Sequence, residues 1–228
     1  MVSMGKSTSP LTYTGMALMG FAGVWYLLAE TVAATGFRGY NYATNWISDL
    51  GVPEPQTFQG RTIDSQLAVV MNAGFVGQGL LFILGAALIF FANPQARRGT
   101  LLLALAVLHG LGICLVGLVN GNQENVAAGL AVYHFGGAMS AIVGGNLAVM
   151  VAGASVLRDF LPEWVQRASI GLGAVGLVSL VLLLAVSPSL WTFAPIFERG
   201  AVYTVMVGEL IFGVIAVRGV RTMADTAA

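Results

Sequence analysis

Six long apolar stretches, divided by short polar breaks, set the pattern of this chain: residues 11–34, 67–91, 99–119, 130–156, 165–186 and 196–217. A helix rises about 1.5 Å per residue and the hydrocarbon of a bilayer is about 30 Å thick, so about 20 mostly apolar residues span it. Each stretch reaches that length. The pattern therefore predicts an all-α fold: a polytopic bundle of six transmembrane helices forming one integral membrane domain of the cell membrane. The run Asn93-Pro94-Gln95-Ala96-Arg97-Arg98, residues 120–125, residues 158–163 and Ser187-Pro188-Ser189 supply breakers between helices. The fourth stretch carries Gly137, Ala141, Gly144 and Ala148 at helical spacing, a surface that lets helix backbones approach closely.

Lysine and arginine orient such a bundle, because loops on the cytoplasmic side carry the excess. With both termini inside, Lys6, Arg97, Arg98, Arg158, Arg167, Arg218 and Arg221 are cytoplasmic, and only Arg38, Arg61 and Arg199 are external. The bias predicts an N-in, C-in topology with the long connection, residues 35–65, outside. Composition agrees with the membrane class: 57% of residues are hydrophobic and 9% charged, against about 25% charged in soluble domains. Ten basic and ten acidic residues balance, which leaves no basic stripe for nucleic acid. The single cysteine, Cys114, lies in an apolar stretch and reads as a small hydrophobe.

The external connection contains Phe37, Tyr40, Tyr42, Trp46 and Phe58, rings that settle at membrane interfaces. Within it, residues 45–51 read as a short helical turn closed by Gly51, with Pro53 preventing continuation. That turn would hold Asp49 in a fixed place. The segment Trp46-Ile47-Ser48-Asp49-Leu50-Gly51, Asn72 at the start of the second helix, His134 before a glycine-rich helix, and Phe197-Glu198-Arg199-Gly200 opening the last helix together resemble the six-helix membrane proteins catalogued as domain of unknown function 998. The resemblance covers most of the chain and implies a fold, with no activity attached. The loop segment is also similar, more distantly, to the Ile-Ser-Asp-x-Gly motif of the damage-regulated autophagy modulator superfamily, with Leu50 where that motif usually carries a small polar residue. This second resemblance implies a tilt toward membrane lipids.

Ionisable side chains within a bilayer cost about 2.5–3.5 kcal/mol at a helix centre, so they pair or serve a function. Counting about 1.5 Å per residue from each outer boundary puts Glu30, Asn72, His134, Glu198, Arg199 and Tyr203 within about 10 Å of the outer surface. The same count puts Gln78, His109 and Glu209 near the midplane, at about 15–20 Å. Ser48, Asn72, Asp49, His134, Glu198 and Arg199 are the candidate ligand-binding set, in an outward-facing pocket capped by the loop. His109 and Glu209 are expected to be linked directly or through water.

The two histidines differ in depth by about 10 Å, which argues against a shared metal. No phosphate-binding glycine loop, His-Glu-x-x-His pair or Gly-x-Ser-x-Gly elbow occurs, so no cofactor is expected and a non-catalytic role is favoured. The leading reading is a protein that binds or handles a lipid or other amphiphile. The alternatives are a small proton-linked transporter, an accessory subunit of a membrane complex, and an intramembrane hydrolase or acyltransferase using Ser48, Asp49 and His134. Expected partners are membrane lipids, with a membrane-protein partner or a second copy of the chain left open.

The charge bias makes a direct prediction. A topology reporter fused after Arg98 or at the C-terminus reads cytoplasmic, and one inserted beside Gly51 reads external. A cytoplasmic signal at Gly51 contradicts the assigned orientation.

Overall fold

The computed structural model describes residues 9–186 and 192–227; Lys6 and the Ser187-Pro188-Ser189 break lie outside the described residues. Seven α-helices occur among them: α1 (Pro10–Thr35), α2 (Ala68–Ala92), α3 (Gly99–Leu118), the short α4 (Gln123–Ala127), α5 (Ala131–Val151), α6 (Glu163–Ala185) and α7 (Ala194–Ala227). All but α4 are long and apolar enough to cross a membrane, so the chain is a multi-pass integral membrane protein. A wide turn over Ala152–Val156 prolongs α5, with the Leu157 N–H reaching the Ala152 carbonyl at 2.8 Å. The last helix runs ten residues beyond the expected end at Val217: Arg218 and Arg221 are good helix formers, no proline follows, and Gly219 stays helical where a Cβ would stand 2.4 Å from the Tyr13 ring.

α1 packs against α2 and α7, α2 against α3, and α3 against α5. α5 touches α7, which closes a ring, and α6 lies along the seam between those two. Most of α6 is exposed, including Val175, Val178, Val181 and Leu184. In water such a face would be a liability; against lipid tails it is the expected surface. Residues of the small-residue face of α5 meet α3: a Cβ added at Gly137 would stand 2.6 Å from the Gly112 carbonyl oxygen, and one at Gly144 would stand 2.8 Å from the His109 nitrogen. These helices are as close as backbone allows.

The connection between α1 and α2 is folded. A 3-10 turn, Ile47–Gly51, stands where a short helical turn was expected. Beyond it lies a hairpin that the apolar pattern does not signal, β1 (Gln56–Phe58) antiparallel to β2 (Arg61–Ile63). Its two-residue turn, Gln59-Gly60, has positive φ at both positions, 50° and 76°, a geometry favoured in tight hairpins. Asn-Gly or Asp-Gly would have announced the turn; Gln-Gly does not. Phe37, Ile47, Leu50, Val52 and Ile63 are buried in the same core cluster as the spanning helices. Fully burying an aliphatic side chain stabilises by about 1.5–3 kcal/mol, so the loop is part of the core. Its ends are tied by Gln66 N–H to the Gly36 carbonyl at 2.9 Å and by the Ser65 hydroxyl to the Leu50 carbonyl at 2.6 Å.

α1 crosses α7 at backbone contact, where a Cβ at Gly20 would stand 2.4 Å from the Gly213 Cα. Gly213→Leu should therefore separate these helices and destabilise the fold by about 1–3 kcal/mol. Gly171→Leu on α6, where a Cβ meets nothing within 4 Å, should change stability by less than about 0.5 kcal/mol. Thermal unfolding of both variants in detergent checks this; equal losses would contradict the packing.

Candidate functional site

The buried polar groups form three clusters, each built where helix ends or facing glycines let side chains meet. The first lies at the loop side of α1 and α7. The Arg199 Nη2 is 3.6 Å from Glu30 Oε1 and donates to the Tyr40 hydroxyl, while its Nη1 donates to the Asn45 carbonyl at 2.8 Å. The Tyr203 hydroxyl donates to Glu30 Oε1 at 2.8 Å. The Arg199 guanidinium also faces the rings of Tyr40 and Tyr42, at 5.7 and 5.1 Å from their centroids, a cation–π arrangement. Both terminal nitrogens of Arg199 are thus engaged within the protein, while its Nε is buried without a hydrogen-bond partner among the described residues. Burial pushes the Tyr40 phenol above its ordinary value, opposed by Arg199 and reinforced by Glu30. The Tyr42 phenol is raised for the same first reason. The folded state therefore keeps phenolic protons that the unfolded chain loses near pH 10, so attachment of the loop weakens as pH rises above about 10.

The second cluster is a cavity of about 50 Å³ on the interior of the ring, beneath the 3-10 turn. Tyr26, Ser48, His134 and Glu198 bring its polar groups, and Phe75, Ile113, Val116, Ala138, Ala141 and Val202 are among its apolar walls. One Glu198 oxygen accepts the Ile47 N–H at 2.8 Å. His134 Nδ1 donates to the Val119 carbonyl at 2.8 Å, which fixes the tautomer and leaves Nε2 as an acceptor. No hydrogen bond joins Ser48 to His134 among the described residues, and Asp49 is not in this cavity. A nucleophile paired with its base, as a hydrolase requires, is therefore not assembled here.

The candidate set consequently divides. Asp49 caps its own turn by accepting the Trp46 N–H at 3.1 Å and takes two bonds from Arg61, at 3.2 and 3.4 Å. Asn72 donates to the Gly51 carbonyl at 2.9 Å. Both hold the loop. Arg61, counted from the sequence only as an external charge, is the partner that was missed; the hairpin that brings it back to Asp49 was the unsignalled element. Tyr40, read as an interfacial ring, also accepts from Arg199. Above the loop, Arg38, Thr44, Asn45, Trp46, Arg61 and Thr192 are among the residues lining a groove of about 560 Å³.

The third cluster is at mid-span. Gln78 Nε2 donates to Glu209 Oε1 at 2.6 Å and stands 2.9 Å from His109 Nε2. His109 Nδ1 donates to the Ala141 carbonyl at 2.7 Å. His109 and Glu209 are thus joined by an amide side chain, where a direct contact or water was expected. Gln78 was placed at this depth from the sequence, but its position between the two was not legible. A separate tie, Asn146 on α5, donates to the Ala201 carbonyl at 2.8 Å and accepts from Thr204 at 2.8 Å, joining α5 to α7. Among the described residues, no three His, Cys, Asp or Glu side chains converge on a metal position.

A family model described as "Protein of unknown function (DUF998)" matches residues 10–215. The chain belongs to that family. The matched region takes in all three clusters and the groove and ends within α7. Neither the curated proteins nor the solved structures give a match.

Truncating one member of a buried ion pair strands the other, at a cost of about 3–5 kcal/mol. Arg199→Met should lose that much stability, and Arg199→Met combined with Glu30→Met should recover part of it. Unfolding midpoints of the two single variants and the double variant test the coupling; a double variant as unstable as the sum of the singles would contradict it.

Proposed function

We propose that this DUF998 protein binds a lipid or other amphiphile at the face that carries the loop, which the basic-residue bias places outside the cell. The observation that carries the reading is the groove beside the 3-10 turn. Its volume of about 560 Å³ falls within the range of small-molecule sites, about 300–1,000 Å³. The space beside His134 and Glu198, about 50 Å³, accommodates only a few water molecules. The headgroup position therefore moves from the inner cavity to the groove.

The groove's chemistry supports an anionic or zwitterionic headgroup. Arg38 is exposed and has no acidic partner among the described residues. Arg61 lines the same groove but is committed to Asp49, with its guanidinium 5.9 Å from the Trp46 ring centroid. Arg38 supplies the free charge, and arginine forks match phosphate oxygens. Trp46 supplies an interfacial ring at the place where headgroup meets hydrocarbon. The Ser48, His134 and Glu198 cavity lies below, separated by the turn that both sites share.

Lipid analysis of gently purified protein should find a retained amphiphile, and the protein in nanodiscs should bind short-chain phosphatidylglycerol more tightly than inorganic phosphate. Arg38→Glu should weaken phosphatidylglycerol binding by about tenfold or more, the equivalent of the 1.5–3 kcal/mol typical of a hydrogen bond to a charged group. Equal binding by wild type and Arg38→Glu would overturn the assignment.

A further inference from the structure

We propose that Gln78, His109 and Glu209 form a binding site for one proton in the middle of the membrane, reached from the loop-side cavity and closed toward the opposite face. This site is separate from the groove and does not depend on the reading of its ligand.

The hydrogen bonds count the proton. His109 Nδ1 faces the Ala141 carbonyl at 2.7 Å, and a carbonyl only accepts, so that nitrogen carries a hydrogen. Gln78 Nε2 has two hydrogens and two acceptors, His109 Nε2 at 2.9 Å and Glu209 Oε1 at 2.6 Å. This arrangement satisfies a neutral imidazole and one carboxyl oxygen. The other oxygen, Glu209 Oε2, is buried without any partner, and no cation among the described residues reaches it. A bare carboxylate there would be a lone charge at the centre of the hydrocarbon; a proton on Oε2 makes the group neutral.

A second position for the same proton is already present. Gln78 Oε1 lies 3.1 Å from His109 Nε2. If the proton leaves Glu209 and binds His109 Nε2, the imidazolium donates to Gln78 Oε1 and the amide still donates to Glu209 Oε1. One O–H bond breaks and one N–H bond forms, and the cluster stays neutral overall. Loss of the proton to solvent leaves a net charge of minus one in either form. Closed packing around the cluster thus requires the proton to be bound.

The surroundings assign the direction of access. Ala141, whose carbonyl holds His109, also lines the cavity beneath the 3-10 turn. Toward the other face, Met19, Phe82, Ala106 and Phe212 have no exposed surface, and the Phe82 ring centroid is 4.6 Å from that of His109. Glycines on the facing helices leave room for the two ionisable groups: a Cβ at Gly145 would stand 2.5 Å from His109 Nδ1, and one at Gly23 would stand 2.9 Å from Glu209 Oε2.

Other titratable groups on these helices point elsewhere. On α1, Tyr26 borders the cavity and Glu30 pairs with Arg199. On α3, the Cys114 thiol donates to the Val76 carbonyl. On α5, His134 bonds Val119; on α7, Glu198 takes the Ile47 N–H, while Arg199 and Tyr203 engage Glu30. The spanning part of α2 has no ionisable residue, and α6 faces Asn146 through Gly176.

Infrared spectroscopy of the full-length protein in lipid nanodiscs tests the site. Wild type should show a protonated-carboxyl band at neutral pH that is missing from Glu209→Gln, and its exchange with deuterium should slow severalfold in Ala138→Phe, which puts a ring into the cavity that Ala138 lines. An undiminished carboxyl band in Glu209→Gln overturns the proton site, and an unchanged exchange rate in Ala138→Phe overturns the route. Should Glu209→Gln fail to fold, Gln78→Leu provides the readout: loss of its hydrogen bond shifts the carboxyl band, and an unshifted band contradicts the proposal.

Discussion

The fold on the loop side depends on Arg199, a guanidinium that is almost wholly buried among protein groups. Its neighbours are Glu30 from α1, Tyr40 and Asn45 from the loop, and its own helix turn. Because a lone buried charge is costly, these groups must come together, and their meeting joins the first helix, the last helix and the connection between them. Glu198, one residue earlier, accepts the Ile47 N–H. Two consecutive residues of α7 thereby fix both the start of the loop and its 3-10 turn.

The position of that turn sets what lies above and below it. Asp49 is turned toward Arg61, so Arg61 is committed to an ion pair, and Arg38, which lines the same groove, has no acidic partner among the described residues. Ser48 faces inward and closes the small cavity with His134 and Glu198. Deeper, close backbone approach becomes the dominant constraint. Glycines bring α1, α3, α5 and α7 near enough for Gln78 to bridge His109 and Glu209 without leaving a large void. Packing in lipid lacks a hydrophobic drive between helices, so small residues and interhelical hydrogen bonds carry that approach.

The spanning helices were legible because length and apolar content suffice to define them when lipid leaves the backbone no alternative partner. The place of the 3-10 turn was legible, but not the role of Gly51: it lies inside the turn without a left-handed φ, and its missing Cβ makes room for Asn72, whose Oδ1 would be 2.3 Å away. What the sequence could not supply was partner choice. Asp49 and Arg61 are twelve residues apart and meet only because a hairpin with an unusual Gln-Gly turn reverses the chain. Depth counting grouped Glu30, Arg199 and Tyr203 in one layer, and their contacts are consistent with that grouping. Depth says nothing about azimuth, so it also grouped Asn72 and His134 with them, although Asn72 is turned to Gly51 and His134 to Val119. The end of α7 was misjudged for a related reason: hydropathy marks where the apolar run stops, and a helix may continue past it.

The loop is a structural part of the membrane bundle, held by charged residues of the last helix. Hydrogen-exchange mass spectrometry of residues 45–52 in wild type and Glu198→Ala measures this most directly, because the Ile47 N–H is bonded to Glu198. Slow exchange in wild type and fast exchange in Glu198→Ala, with the spanning helices equally protected in both, is the predicted result. Fast exchange of these loop amides in the wild-type protein, or equal rates in both proteins, would contradict the account.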